Sequence, residues 1–381
     1  MRPTACTPAL VVTTLAITAV LNVGAARAQV LCGDSVSAKV TMTTDLVCGT
    51  NPGFTVNGGG SVDMGGHRVT ACAGCTGVAL AGQGAKLSNG SVVGSGAGSI
   101  GVSLAGSGVH QVENVAVAGA EVGFGATSGK NKVRNCAAYG ATTGFSFTGD
   151  KNAISRSHSS GALNNFVIIG ANNNLTENTS SNATGVGGAG IRVSGNANKL
   201  SRNTSGSDQV EYGVRIAGNG NKLLLNVVNG ATGGNGLDVA GDENKISKTT
   251  SAGSGDIGIN LVGGLNKLSK NASYDSGTNG MVVNGAGNNV NASNSSNNIG
   301  VGIGILGGTA NSLNSNVAMA NAAEGILLEV TATDSSVSKS VALDNLVDLQ
   351  DDNSNCDNNV WQKSVYRTKE AGGVPGDACI Q

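Results

Sequence analysis

The chain has 381 residues, 61 of them Gly and 44 Asn, with 12% charged, 3% aromatic and a net charge of −1. That composition excludes a conventional helical or α/β enzyme, which fills helices with Leu, Ala and Glu and packs a thick aromatic core. Disorder is excluded too, because 39% of residues are hydrophobic and charge is sparse. Near-neutrality leaves no footprint for nucleic acid.

Residues 1–28 read as a signal peptide. Arg2 gives a positive start, Leu10 to Val23 is a short apolar core, and Ala26-Arg27-Ala28 fits a small-x-small cleavage site before Gln29. The apolar run is too short to favour a membrane span, and no later segment offers one. The expectation is an exported protein, secreted or periplasmic. Seven cysteines follow the signal segment, clustered at the two ends. Cys32 with Cys48 and Cys356 with Cys379 read as staples of terminal caps, since disulfides persist outside the cytosol. Cys72-Ala-Gly-Cys75 reads as a local disulfide in a turn, because a zinc site would need a fourth ligand at sensible spacing. The odd count leaves one thiol over, assigned to Cys136.

Residues 29–76 form an N-terminal cap with the first coils, residues 77–347 a repeat region, and residues 348–381 a C-terminal cap. The repeat is explicit: GIRVSGNANKLSRN from Gly190, GVRIAGNGNKLLLN from Gly213, GLDVAGDENKISKT from Gly236 and GINLVGGLNKLSKN from Gly258. An Asn recurs before the second apolar step at Asn131, Asn152 and Asn173, then Asn198, Asn221, Asn244, Asn266, Asn288 and Asn311. The steps are 21, 21, 25, 23, 23, 22, 22 and 23 residues. Each unit carries two period-two segments, Gly-(Ile/Val)-x-(Val/Ile/Leu) and Asn-Lys-(Leu/Ile), the pattern of half-buried strands. Gly and Asn would supply positive φ at the corners. The recurring Asn would bond its amide to the Asn above and below, as an internal ladder. No proline occurs between residues 53 and 374, as a stack with nearly every N–H paired requires. The period is wrong for leucine-rich repeats and half that of propeller blades. The fold predicted is all-β: a single-stranded parallel β-helix, a solenoid of about 12 coils and on the order of 55 Å long.

Residues 31–95, opening LCGDSVSAKVTMTTDLVCGT and continuing through GGHRVTAC to KLSNGSVVG, resemble the start of exported right-handed β-helix proteins of the pectate-lyase-like superfamily. The tail, NCDNNVWQKSVYRTKEAGGVPGDACI, is similar to the ending of the same proteins. This resemblance implies right-handedness and makes His67 a residue of a capping-coil turn. The catalytic motifs of the superfamily's enzymes are missing. Neither the Gly-His-Gly and Arg-Ile-Lys of polygalacturonase-like members nor the Asp-Pro-His-Asp of alginate epimerases occurs, and the one Asp-Asp, Asp351-Asp352, sits in the terminal cap. His110 and His158 fall at different phases of their coils.

The period exposes two outward columns. The x position places Arg192, Arg215, Asp238 and Asn260 in consecutive coils, weak candidates for catalysis. The Lys after the ladder Asn gives Lys199, Lys222, Lys245 and Lys267, with Arg202, Lys248 and Lys270 three residues beyond them in three coils. Like charges stacked about 5 Å apart repel modestly in water, and a row of them suits a polyanion. Residues Glu324 to Asp357 hold eight carboxylates against Lys339. They read as a solvated cap that discourages end-to-end stacking. No cofactor is evident, and calcium finds no loop of recognisable spacing among them. The expected function is non-catalytic recognition of acidic polysaccharide. The alternatives are a polysaccharide lyase or glycosidase with a divergent site, by fold analogy, and a structural or adhesive rod.

Overall fold

The structure, a computed structural model, describes residues 29–381 apart from 207–208, 355, 372–378 and 381. The signal-peptide expectation falls outside the described residues. From Gln29 onward the chain winds as an all-β parallel solenoid of about 14 turns. That exceeds the expected 12 because strands of both caps join the stack in register. Ser35–Val36 pairs with Phe54–Val56, and Val347–Asp351 with Lys369–Ala371, although neither cap carries the Asn-Lys pattern. A 3-10 turn at Cys356–Asn358 is the one helical element among the described residues.

One turn shows how sequence becomes geometry. Asn235–Ala240 forms the first face, Lys245–Ser247 the second and Thr250–Ala252 the third. They pair in parallel with Ile259–Val262, Lys267–Ser269 and Ala272–Tyr274 of the next turn. Alternation turns Leu237, Val239 and Ile246 inward, where they are fully buried. Identical positions in neighbouring turns meet, so the rings of Phe124, Phe145 and Phe166 stack with centroids 4.7 Å apart.

Glycine has a further use at the start of each unit, apart from the corners. Gly236, Gly258 and Gly280 are not left-handed; a Cβ there would lie 1.9, 1.8 and 1.9 Å from the inward hydroxyls of Ser251, Ser273 and Ser295. The narrow core makes the first and third faces meet there, and only a missing side chain allows it. Positive φ belongs instead to Gly218 and Gly241 in the first corner and to single residues such as Arg202, Lys248 and Lys270 in the second.

The Asn column is present, with a bond pattern that corrects the amide-to-amide expectation. The backbone N–H of each Asn donates to the Oδ1 of the next, from Asn198 to Asn221, Asn244, Asn266, Asn288 and Asn311 at 2.7–2.9 Å. Side-chain-to-side-chain bonds join only some rungs, such as Asn221 to Asn244 at 3.1 Å. A second buried column, not anticipated, follows the other corner through Asn178, Asn203 and Asn226, and resumes at Thr249, whose backbone N–H donates to Asn271 Oδ1 at 3.0 Å. These columns satisfy backbone donors that the turns take out of the sheets.

Disulfides close Cys32–Cys48 in the N-terminal cap, Cys72–Cys75 in a turn and Cys356–Cys379 in the C-terminal cap. Cys136 is free and buried. Burial above all pushes its thiol up to about 12, so almost no thiolate exists at neutral pH. Alkylating reagents should leave the native mature chain, from Gln29 onward, unlabelled and add one label to it on unfolding in denaturant. Labelling of the native protein at neutral pH would contradict this burial.

The acidic C-terminal end also departs from its expected role. Asp348 and Asp351 are buried, not solvated. Asp348 accepts from the backbone N–H groups of Arg367 and Thr368 at 2.7 and 3.1 Å. Asp351 accepts from Trp361 Nε1 at 2.9 Å and Asn353 Nδ2 at 2.7 Å. These carboxylates tie the last coils together from within, as buried acceptors must.

Candidate functional site

The second face presents the lysine column. Lys199–Ser201, Lys222–Leu224, Lys245–Ser247 and Lys267–Ser269 are successive parallel strands, and Lys199 pairs with Lys222, Lys222 with Lys245, and Lys245 with Lys267. Each strand turns Leu200, Leu223, Ile246 or Leu268 inward, which forces its Lys outward, and all four are exposed. None of the four forms an ion pair among the described residues. A shallow depression runs between them, bordered by Lys222, Glu243, Lys245, Leu265 and Lys267. Beside it, Arg202, Lys248 and Lys270 occupy the left-handed corner position of their turns. Arg202 is held by Glu177 at 3.3 Å, while Lys248 and Lys270 form no ion pair among the described residues.

The first face brings the other four candidates into one register: Arg192 opposite Arg215, Arg215 opposite Asp238, and Asp238 opposite Asn260. They do not all point freely into solvent, as expected. Asp238 is 9% exposed. Its carboxylate accepts from Asn260 Nδ2 at 2.8 Å and Asn235 Nδ2 at 3.4 Å, and pairs with Arg215 Nε at 3.6 Å. The Arg215 guanidinium also lies 4.4 Å over the ring of Tyr212. Tyr212 donates its hydroxyl to Glu211 at 2.6 Å. That bond first, then burial, raises the phenol above its ordinary value, so Tyr212 keeps its proton at neutral pH and acts as a donor. Arg192 is exposed and without an ion-pair partner among the described residues.

Tyr212, Glu211 and Asn235 were not singled out in the sequence. Their signal was weak: Glu-Tyr precedes the opening Gly of its unit, one turn after the step that stretches to 25 residues. The long strands Thr184–Ser194 and Gln209–Ala217 grow there and carry Tyr212 onto the face. His67 sits in the N-terminal cap with Nδ1 3.1 Å from Asp45. His110 is buried, with its backbone N–H on Asn131, and His158 leans on Tyr139 from the third face. The three histidines are therefore far apart in role.

No family model matches the chain, and no curated protein does. Solved structures do. The periplasmic alginate epimerase AlgG aligns over 84% of this chain and 84% of its own, at 12% identity and a TM-score of 0.51. A variant of the same epimerase aligns over 83% and 85%, at 11% identity and a TM-score of 0.50. The likeness shows the fold, a right-handed parallel β-helix.

Proposed function

We propose that this is an exported, non-catalytic β-helix that binds acidic polysaccharide along Lys199, Lys222, Lys245 and Lys267. The observation that carries the reading is the direct pairing of four exposed lysines in consecutive turns, none of them in an ion pair among the described residues. Such a row repels itself, by at most about 1 kcal/mol per neighbouring pair in water, and an anionic chain laid along it removes that cost. The likeness to a periplasmic alginate epimerase supports a polysaccharide ligand. Three disulfides support export to an oxidising compartment.

A second reading, a lyase or hydrolase, draws on the Arg215–Asp238–Asn260 cluster with Tyr212 beside it. Arg215 would neutralise a sugar carboxylate, with the phenol as proton donor. A panel of acidic and neutral polysaccharides, scored for retention at low salt and for release of new chain ends, separates the readings. Retention of acidic chains without product is the expected result. Product formation abolished by Asp238→Asn or Tyr212→Phe would establish the catalytic reading instead. Absence of any retention would overturn binding and leave a structural rod.

A further inference from the structure

The lysine column does not end where the Asn-Lys repeat ends. Traced downward through the paired strands, Lys199 lies over Asn174, Asn174 over Ala153, and Ala153 over Lys132. Lys132 then lies over Gln111, Gln111 over Lys86, Lys86 over Ser61, and Ser61 over Lys39. Traced upward, Lys267 is followed by Asn289, Ser312, Ser336 and Val360. Every position of this column is exposed or half-exposed.

It carries seven lysines and no carboxylate, in a chain with 23 basic and 24 acidic residues. A column filled without regard to sign would hold both. The neighbouring outward column on the same strands does: Asp63, Glu113 and Arg134 stand there, and the last two are paired with each other. None of Lys39, Lys86 and Lys132 has an ion-pair partner among the described residues.

We infer that the binding track extends down the rod to Lys39 and selects its ligand by length, as an unbranched polyanion of about ten or more sugar residues. This rests on the polysaccharide-binding reading above. From Lys39 to Lys267 the column takes ten strand steps, about 48 Å at the spacing of paired strands. The lower lysines fall at every second step, about 10 Å apart, and the upper four at every step. A short oligomer fills the upper run alone. A longer chain reaches the lower lysines as a tethered, intramolecular contact, and gains affinity without any new kind of bond.

The test uses the mature full-length protein and end-labelled homopolyuronate oligomers of about four and about twelve residues, with anisotropy read at several salt concentrations. The longer oligomer should bind at least about tenfold more tightly, and its affinity should fall more steeply with salt, since more counterions are released. The triple variant Lys39→Gln, Lys86→Gln, Lys132→Gln should leave the short oligomer unchanged. It should flatten the salt slope of the long one by about two to three, one for each lysine charge removed from the track. Unchanged dichroism in that variant shows that the fold is intact. A long oligomer that binds the triple variant with wild-type affinity and salt slope overturns the extended track while leaving the upper site standing. Failure of both oligomers to bind overturns both readings.

Discussion

Replacing Asn244 with Leu should destabilise the rod by about 2–6 kcal/mol, and replacement with Pro by more. Asn244 is fully buried. Its Oδ1 takes the backbone N–H of Asn221 at 2.8 Å and the side-chain amide of Asn221 at 3.1 Å. Its own N–H donates to Asn266 at 2.7 Å, and its carbonyl accepts from Lys267 at 2.9 Å. Leucine preserves the volume but orphans two buried donors, each costing about 1–3 kcal/mol when left without a partner. Proline also deletes the N–H and leaves the Asn266 acceptor empty. Asn289 on the second face is exposed, so Asn289→Gln should change stability by less than about 0.5 kcal/mol. Turns contact only their neighbours, and a lesion in one can split the cooperative unit. Urea unfolding should therefore be followed both by dichroism and by fluorescence of Trp361, which reports the C-terminal cap. An unchanged midpoint for both Asn244 variants would show that the column does not hold the coils together.

Much of this fold was legible because a solenoid writes its tertiary contacts into its period. Once Asn198, Asn221 and Asn244 are seen in register, the neighbours of every residue between them follow, including the lysine column. The cysteines were legible because they lie at the ends, where a stack needs closing. The second polar column was hidden because its rungs change identity, from Asn271 to Ser293 and on to Asn316. Any group able to hold the neighbouring donor serves, so no single letter recurs. The burial of Asp238 was hidden for a different reason. Alternation fixes which face a side chain leaves from, whereas its exposure depends on Arg215, Asn235 and Asn260 closing around it. Asp348 and Asp351 read as a solvated cap because the segment that covers them, from Trp361 to Thr368, has no repeat to betray its path.

Changing Lys199, Lys222, Lys245 and Lys267 together to Gln should abolish retention on acidic polysaccharide at low salt. Each exposed pairing contributes about 0.2–1 kcal/mol, so removing all four amounts to roughly 1–4 kcal/mol, about fivefold to several hundredfold in Kd. The wild-type interaction should itself fade as salt rises, because exposed charges are screened within about 10 Å at 0.1 M. Glutamine keeps most of the aliphatic stem and the outward direction while removing only the charge, so the strands beneath are undisturbed. The same substitution relieves the repulsion between stacked lysines, and the variant should unfold at a slightly higher urea concentration than wild type at low salt. That sign separates two explanations of failed binding. A damaged fold lowers the midpoint, whereas a discharged binding track raises it or leaves it alone. Retention that survives these four substitutions combined with Lys39→Gln, Lys86→Gln and Lys132→Gln would mean that the ligand touches another face, with Arg192 and Arg215 on the first face as the next groups to change.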